Sequence, residues 1–383
     1  MRKKILILNP HFLPGFKSGG PQQTVKNICD TYSSKADIYL ITLNSDLGET
    51  CPYDLPVNQW LERYHIKVKY MLPKDYNIRL FTEAYHQFDT IYTCGLFCSN
   101  TYYTMFIHRF FRDKGKNIYV APMGVFSKNA IASKGLKKKM FLKLCSFLGA
   151  FKGIIWSFTS EDELEEAKDI TGDCNIRKYV IAEDLPRKLD FEENRKHISV
   201  KQANQLNIIF ISRISPKKNL KQALSILDAH FEGKIRFDIY GVKEDKSYWK
   251  ECEDKIKQLP ANISVSYKGE IRPENVIKAF SDYDVFLFPT KGENFGHVIY
   301  EALASGCVPV ISDTTPWKDF KDKECGAVIG LNDENSFRKL IQSYILYDSD
   351  YFRKLKLNAI QYAEEKYYDS VNHSGYNTIF IED

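Results

Sequence analysis

The sequence predicts an α/β protein built from two doubly wound halves, and three observations carry that reading. Short, almost wholly apolar runs recur along the 383 residues, as in Ile5–Leu8, Leu206–Ile211 and Val285–Phe288. Runs of that kind suit parallel strands covered by helices on both faces, not strands with one wet face. They alternate with helical stretches in βαβ order, and the order restarts after a polar interval in mid-chain. A chain of this length exceeds one ordinary core and suits two.

In the first half, Lys4–Asn9 reads as a buried strand, followed by the loop N-P-H-F-L-P-G-F-K-S-G-G-P, a helix from Gln22 to Tyr32 and a strand at Asp37–Leu43. Further strands fall at Thr90–Tyr92, Ile118–Ala121 and Ile154–Phe158. The second half repeats the pattern. Leu206–Ile211, Arg236–Tyr240, Ile263–Tyr267, Val285–Phe288 and Val308–Ile311 read as strands, with helices at Leu220–Ala229 and Glu274–Phe280. The charged stretch Phe191–Leu206 marks the junction. The expected division is residues 1–190, residues 191–360, and a helical segment 361–383 that crosses back to the first domain.

Composition narrows the class. Hydrophobic content of 44% and charge of 27% are those of a globular chain. The start M-R-K-K-I-L-I-L-N-P is too briefly apolar for a signal peptide, and no run approaches the roughly 20 apolar residues of a membrane span. Nine cysteines without C-x-x-C or Cys/His ligand spacing suit a reduced compartment, so a cytoplasmic location is expected. The net charge of +5 is unevenly placed. Residues 101–160 hold eleven Lys or Arg and one acid, Asp113. That bias suits an anionic surface, and no nucleic-acid module accompanies it. Within it, Met140, Phe141, Leu144, Phe147, Leu148 and Phe151 recur at helical spacing, which predicts a core-facing helix with a basic outer side; contact with anionic lipid is the alternative.

Three segments carry candidate chemistry. Gly15, Gly19 and Gly20 precede the first helix, where small residues admit a ligand to main-chain N–H groups, although the loop is neither Walker A nor G-x-G-x-x-G. An ordinary turn is the competing reading. Arg213 and Lys218, in I-S-R-I-S-P-K-K-N-L, follow a strand's carboxyl end, where a guanidinium fork and an ammonium can neutralise a diphosphate. Pro289–Ser312 reads as loop, helix and buried strand, with Glu293 and Glu301 eight positions apart and Asn294, Phe295 and Gly296 at the helix entry. Main-chain donors there suit phosphate, and the carboxylates suit hydroxyls of a ribose or a sugar; both glutamates could equally be ordinary helix charges. Asp282-Tyr283-Asp284 precedes a strand and so lies at the wrong edge for a metal diphosphate, and no metal is expected.

The segment E-N-F-G-H-V-I-Y-E-A-L-A-S-G-C-V-P-V-I-S resembles the family 4 glycosyltransferases. F-L-P-G-F-K-S-G-G-P, S-R-I-S-P-K-K-N, F-D-I-Y-G and D-T-T-P-W extend the resemblance from about Ile5 to Gly330. It implies the GT-B fold, two Rossmann-like domains with a cleft between them, and retaining transfer from a nucleotide sugar, UDP- or GDP-linked, with no metal or other cofactor. By resemblance, Arg213 and Lys218 hold the donor diphosphate and stabilise its departing charge, Asn294, Phe295 and Gly296 give main-chain contacts, Glu301 binds ribose, Glu293 orients the sugar, and Gly19 and Gly20 close the cleft. The similar members act in bacterial lipopolysaccharide or capsule assembly, which implies an oligosaccharide or polyprenyl-diphosphate-linked acceptor, a peripheral place at the inner membrane face, and no nucleic-acid partner. Two positions depart from the family. Ala121-Pro122-Met123-Gly124 has methionine where a polar side chain is usual, and Ile181-Ala182-Glu183-Asp184 replaces P-N-G. The competing readings are a non-catalytic nucleotide-sugar or carbohydrate binder on the same scaffold, a nucleotide-sugar 2-epimerase, and a glycogen-type synthase.

Overall fold

The computed structural model describes residues 2–111, 113–126 and 135–382. They form two compact units, Met1–Lys188 with Ser370–Asp383, and Leu189–Asp369.

The first unit runs β1 (Lys4–Leu8), α1 (Gly20–Tyr32), β2 (Asp37–Leu43), β3 (Trp60–Arg63), β4 (Ile66–Met71), α2 (Ile78–Gln87), β5 (Thr90–Cys94), α3 (Ser99–Phe111), β6 (Asn117–Ala121), α4 (Gly135–Phe147), β7 (Ile155–Phe158), α5 (Glu161–Thr171) and β8 (Tyr179–Ile181). The eight strands lie in the order β3-β4-β2-β1-β5-β6-β7-β8, with only β3 antiparallel to its neighbour. β1 shows why the run is apolar throughout. Ile5 and Ile7 pack on one face with Val25, Ile28 and Tyr32, while Leu6 and Leu8 pack on the other with Phe81, Tyr85 and Met105. Alternate residues of one strand thus feed two cores, as the period of two requires.

β3 and β4 are absent from the sequence reading because Lys67 and Lys69 interrupt the apolar signal of I-K-V-K-Y-M. Here both lysines are partly buried and lie against aromatic rings. Lys67 and Lys69 place their ammonium groups 5.0 and 5.9 Å from the ring centres of Tyr39 and Trp60.

One expectation for this unit is corrected. α4 buries Leu142 and Cys145, but Met140, Leu144, Phe147 and Leu148 are 63, 54, 88 and 46% exposed. The apolar residues of this helix occupy both of its sides, so the stripe at 140, 144, 147 and 148 is the one the core does not use.

The second unit runs α6 (Phe191–Lys196), β9 (Gln205–Ile211), α7 (Leu220–Leu227), β10 (Lys234–Tyr240), α8 (Lys246–Ile256), β11 (Ile263–Gly269), α9 (Pro273–Ser281), β12 (Val285–Phe288), α10 (His297–Ala304), β13 (Val308–Ser312), β14 (Ala327–Ile329), α11 (Glu334–Leu346) and α12 (Ser349–Asn372). Its six strands are all parallel in the order β11-β10-β9-β12-β13-β14, so the direction of winding reverses between β9 and β12. The polar stretch after Phe191 is no free linker. Phe191 is buried, Asn194 donates to the Ala304 carbonyl at 2.8 Å, and Lys201 donates to the carbonyls of Ile345 and Tyr347 at 2.9 Å.

α12 is fixed to the second sheet by a buried ion pair, Lys356 Nζ to Asp284 Oδ1 at 2.9 Å, with Asp284 also accepting from the Asn207 amide at 3.0 Å. This gives the D-Y-D segment a structural role. Tyr283 donates its hydroxyl to Asp238 at 2.6 Å. Among the described residues no helix is long and apolar enough to cross a membrane. The last helix, α13 (Tyr376–Phe380), belongs to the first unit, where Tyr376, Ile379 and Phe380 join the core beside Tyr32 and Tyr92.

Candidate functional site

In an open parallel sheet the carboxyl ends of the strands flanking the reversal point leave a crevice. In the second unit those strands are β9 and β12, and the loops leaving them are residues 212–219 and 289–296. They are tied together by main chain and side chain. The Lys291 amide donates to the Lys217 carbonyl at 2.9 Å, and Asn219 Nδ2 donates to the Pro289 carbonyl at 2.9 Å. Asn219 holds φ 62, a left-handed conformation that asparagine tolerates better than most residues. Gly241, at the end of β10, supports the first loop from behind. A Cβ on it would lie 1.8 Å from the Ser212 carbonyl oxygen, so no side chain fits.

These ties bring Lys218 to Glu293. The ammonium donates to both carboxylate oxygens, at 2.6 and 2.8 Å, and the side chains are 13 and 11% exposed. Thr290 Oγ1 adds a third hydrogen bond to Glu293 at 3.0 Å. Burial holds the Lys218 pKa below its ordinary value, Glu293 opposes that shift, and the nearby Arg213 adds to it. An ammonium has three donors and an ionised carboxylate about four acceptor positions, so one N–H and part of one carboxylate remain for a ligand. Arg213 lies at the rim, about half exposed, with its guanidinium 2.9 Å from Glu244. Lys218 is therefore held by a fixed partner, and Arg213 by a solvated one.

Asn294, Phe295 and Gly296 lead into α10. The Phe295 carbonyl accepts from the Trp317 indole at 2.6 Å, and the ring is buried beside Trp317, with centres 5.5 Å apart. Gly296 caps the helix at φ 81, where a Cβ would come within 2.9 Å of Ile299. Gly296 is thus packed between Ile299 and Trp317 at the positive end of the helix dipole, with Asn294 exposed just before it. His297, the first residue of α10, lies against Phe295, and burial pushes its pKa down to about 4, with Glu293 pulling the other way. Glu301, one turn further on, is buried.

The first unit has its own reversal point, between β1 and β5. The loop after β1 is shaped by Asp46, which accepts from the amides of Phe16 at 2.8 Å and Lys17 at 3.2 Å. Gln22 reaches back to the Gly15 carbonyl. Gly19 turns the chain at φ 67 into α1, and a Cβ on Gly20 would meet nothing within 4 Å. Asn100 bridges the two strands, donating to the Leu8 carbonyl at 3.0 Å and the Cys94 carbonyl at 3.1 Å.

Met123 stands at φ 58 and Gly124 at φ 75, so this turn is left-handed at two successive residues. The Gly124 amide donates to Glu163 at 2.6 Å, and the Thr159 amide and hydroxyl bind the other carboxylate oxygen at 2.8 and 2.9 Å. Asp184 accepts from Thr24 at 2.8 Å, and burial pushes its pKa up to about 6. Asp46, Asn100 and Glu163 escaped the sequence reading, and Asp184 entered it only within the segment that replaces P-N-G, because a single polar residue in a loop or in a helix's first turn carries no periodic signal. Among the described residues no group of three or more His, Cys, Asp or Glu could hold a metal ion.

Residues 191–366 match the sequence profile of the family Glycosyl transferases group 1. The sulfoquinovosyl transferase SQD2 of Arabidopsis thaliana is 27% identical over 135 residues, which are 35% of this chain and 24% of that protein. An uncharacterized 41.2 kDa protein in the cps region of Klebsiella pneumoniae is 23% identical over 304 residues, 78% of this chain and 80% of that one. Anabaena Alr3699/HepE, solved with UDP and glucose, superimposes with a TM-score of 0.65 at 16% identity, covering 95% of each chain. The chain has the GT-B fold of two Rossmann-like α/β units. Its second unit carries a glycosyltransferase group 1 domain, and that domain contains Arg213, Lys218, Glu293 and Glu301.

Proposed function

We propose that the protein is a retaining, metal-independent glycosyltransferase of family 4. It moves a sugar from a UDP- or GDP-linked donor to a glycan or polyprenyl-diphosphate-linked saccharide in bacterial surface-polysaccharide assembly. The observation that carries this reading is the buried Lys218–Glu293 pair, set at the reversal point of the group 1 domain with donor and acceptor capacity to spare.

Breaking the donor bond builds negative charge on the diphosphate and positive charge on the sugar carbon. Groups already fixed in place stabilise those charges without reorganising. The remaining Lys218 N–H and the Arg213 guanidinium take the diphosphate, with Arg213 exchanging Glu244 for phosphate. The main chain at Asn294, Phe295 and Gly296 adds neutral donors. Glu293, held by Lys218 and Thr290, is oriented to accept from a hydroxyl of the transferred sugar. Glu301 is assigned to the ribose, Gly19 and Gly20 to closure over the donor, and the first unit to the acceptor. A lipid-linked acceptor brings the protein to the cytoplasmic face of a membrane.

The second reading, a nucleotide-sugar binder without transfer, draws on Met123, an apolar side chain where transferases of this type usually place a polar one. A donor screen separates the two. The purified chain is incubated with a panel of UDP- and GDP-sugars and pooled undecaprenyl-linked saccharides, and products are read by mass spectrometry. Transfer that retains anomeric configuration and falls about a hundredfold in Glu293→Gln supports the transferase. Tight donor binding with no product from any acceptor selects the second reading.

A further inference from the structure

The amino-terminal edge of the first sheet carries a pocket that the site above does not use. It opens where α3 ends and β6 and β7 begin, the edge opposite to the one from which the Ala121–Gly124 turn leaves the sheet, and it has a volume of about 620 Å³. Arg109, Lys114, Lys116, Lys152 and Lys178 line it, against the one carboxylate Asp113. Lys116 is already engaged, donating to the Phe88 carbonyl at 3.1 Å and to Asp89 at 3.2 Å. Arg109 is not. Its Nε is buried and has no hydrogen-bond partner among the described residues. With no hydrogen bond or ion pair to another described residue, the guanidinium can turn its terminal N–H groups to an oxyanion in the pocket without giving up a partner.

The rim is as unusual as the floor. Phe110 directly follows Arg109 and is 80% exposed. On the other side Gly149 lies against Arg109, where a Cβ would be 3.1 Å from Nε, and just before it Phe147 and Leu148 are 88 and 46% exposed. Met140 and Leu144 continue that stripe along α4. Large side chains left in water beside a cationic pocket do not stabilise the isolated fold, yet they suit a boundary with phosphate above and hydrocarbon below.

We propose that this pocket binds the phosphate of an anionic phospholipid headgroup, with Phe110 and Phe147 entering the acyl boundary. Arg109 takes the phosphate through its planar fork, and Lys114, Lys152 and Lys178 supply a field that favours acidic lipid over zwitterionic lipid. The inference stands apart from the transferase reading, because it is measured with neither donor nor acceptor present.

The test is flotation of the full chain with vesicles of phosphatidylcholine alone and with vesicles in which about a third of the lipid is phosphatidylglycerol. Partition into the acidic vesicles is expected to be at least about tenfold stronger and to weaken with salt. Arg109→Glu with Lys152→Glu should remove that preference, and Phe110→Ser with Phe147→Ser should lower binding to acidic vesicles about tenfold while leaving circular dichroism unchanged. Lys257→Glu with Lys354→Glu, an equal charge change in the second unit, should bind like the unaltered chain. Failure to bind acidic vesicles, equal binding to both vesicle types, or an equal loss in the second-unit control would overturn the proposal. So would calorimetric binding of inorganic phosphate, abolished by Arg109→Glu, without any vesicle binding; that result would make the pocket a site for a free anion.

Discussion

Lys218 and Glu293 form a two-pronged ion pair at 2.6 and 2.8 Å across the reversal point of the second sheet, and neither side chain is more than 13% exposed. The donor-binding cation and the sugar-orienting carboxylate are therefore one structural unit. Removing either leaves the other charged, buried and unpaired, which typically costs about 3–5 kcal/mol.

Glu293→Leu and Lys218→Met are accordingly expected to lose stability as well as transfer, each lowering the denaturation midpoint of the second unit. The double variant Lys218→Met with Glu293→Leu removes both charges and should recover most of that stability, while transfer stays absent. A double-mutant cycle by denaturant unfolding measures the coupling, expected at about 2 kcal/mol or more. Additive single effects would show that the pair is not coupled in solution.

His297 supplies the pH signature of the site. Its folded pKa is pushed down to about 4 by burial, from an ordinary value near 6.5. A depressed folded pKa means that the neutral form is the stable one. The contribution to stability is complete above pH 6.5 and is lost as pH falls through about 4, amounting to roughly 3 kcal/mol over that window. An NMR titration of the imidazole should show no protonation at pH 6, and His297→Gln should flatten the acid limb of the stability curve. A midpoint near 6.5 would contradict the burial argument.

The sheets were legible in the sequence because β1, β9, β12 and β13 are buried on both faces, and such strands announce themselves as apolar runs. The second site was legible for a related reason. Loops at strand carboxyl ends are placed by the strands, so Arg213, Lys218 and Glu293 follow once β9 and β12 are found. What was hidden depends on contacts remote in sequence. Asp284 lies 72 positions from its partner Lys356, and no local pattern of D-Y-D reveals a pair that anchors α12. The outward stripe of α4 was misread for the opposite reason. Periodicity finds an apolar face but not what covers it, and Leu142 and Cys145, not Phe147, met the core.

Gly241 lets the chain after β10 pass directly over the loop that carries Arg213. Its φ is 138, and any Cβ would overlap the Ser212 carbonyl at 1.8 Å. Gly241→Ala must displace main chain, not a flexible side chain, and is expected to cost about 3 kcal/mol or more. Because Ser212 precedes Arg213, the displacement reaches the proposed diphosphate contact. Affinity for a nucleoside diphosphate, measured by calorimetry, should fall about tenfold even in the folded fraction. Affinity unchanged alongside lowered stability would separate the backbone crossing from the site.

Asp184 gives a pH dependence of the opposite sign in the first unit. Burial raises its folded pKa to about 6, against an ordinary value of 3.8, with the Thr24 hydroxyl at 2.8 Å partly offsetting that rise. A raised folded pKa means that the folded chain holds the proton more tightly than the unfolded one. The favourable contribution is complete below about pH 4 and is lost as pH rises through 6, leaving a buried charge at neutral pH. Asp184→Asn keeps an oxygen for Thr24 and removes that charge. It should stabilise the first unit by about 2 kcal/mol at pH 7.5 and have little effect near pH 4. Thermal unfolding of both proteins at the two pH values checks this, and an equal shift at both would show that Asp184 does not titrate in that window.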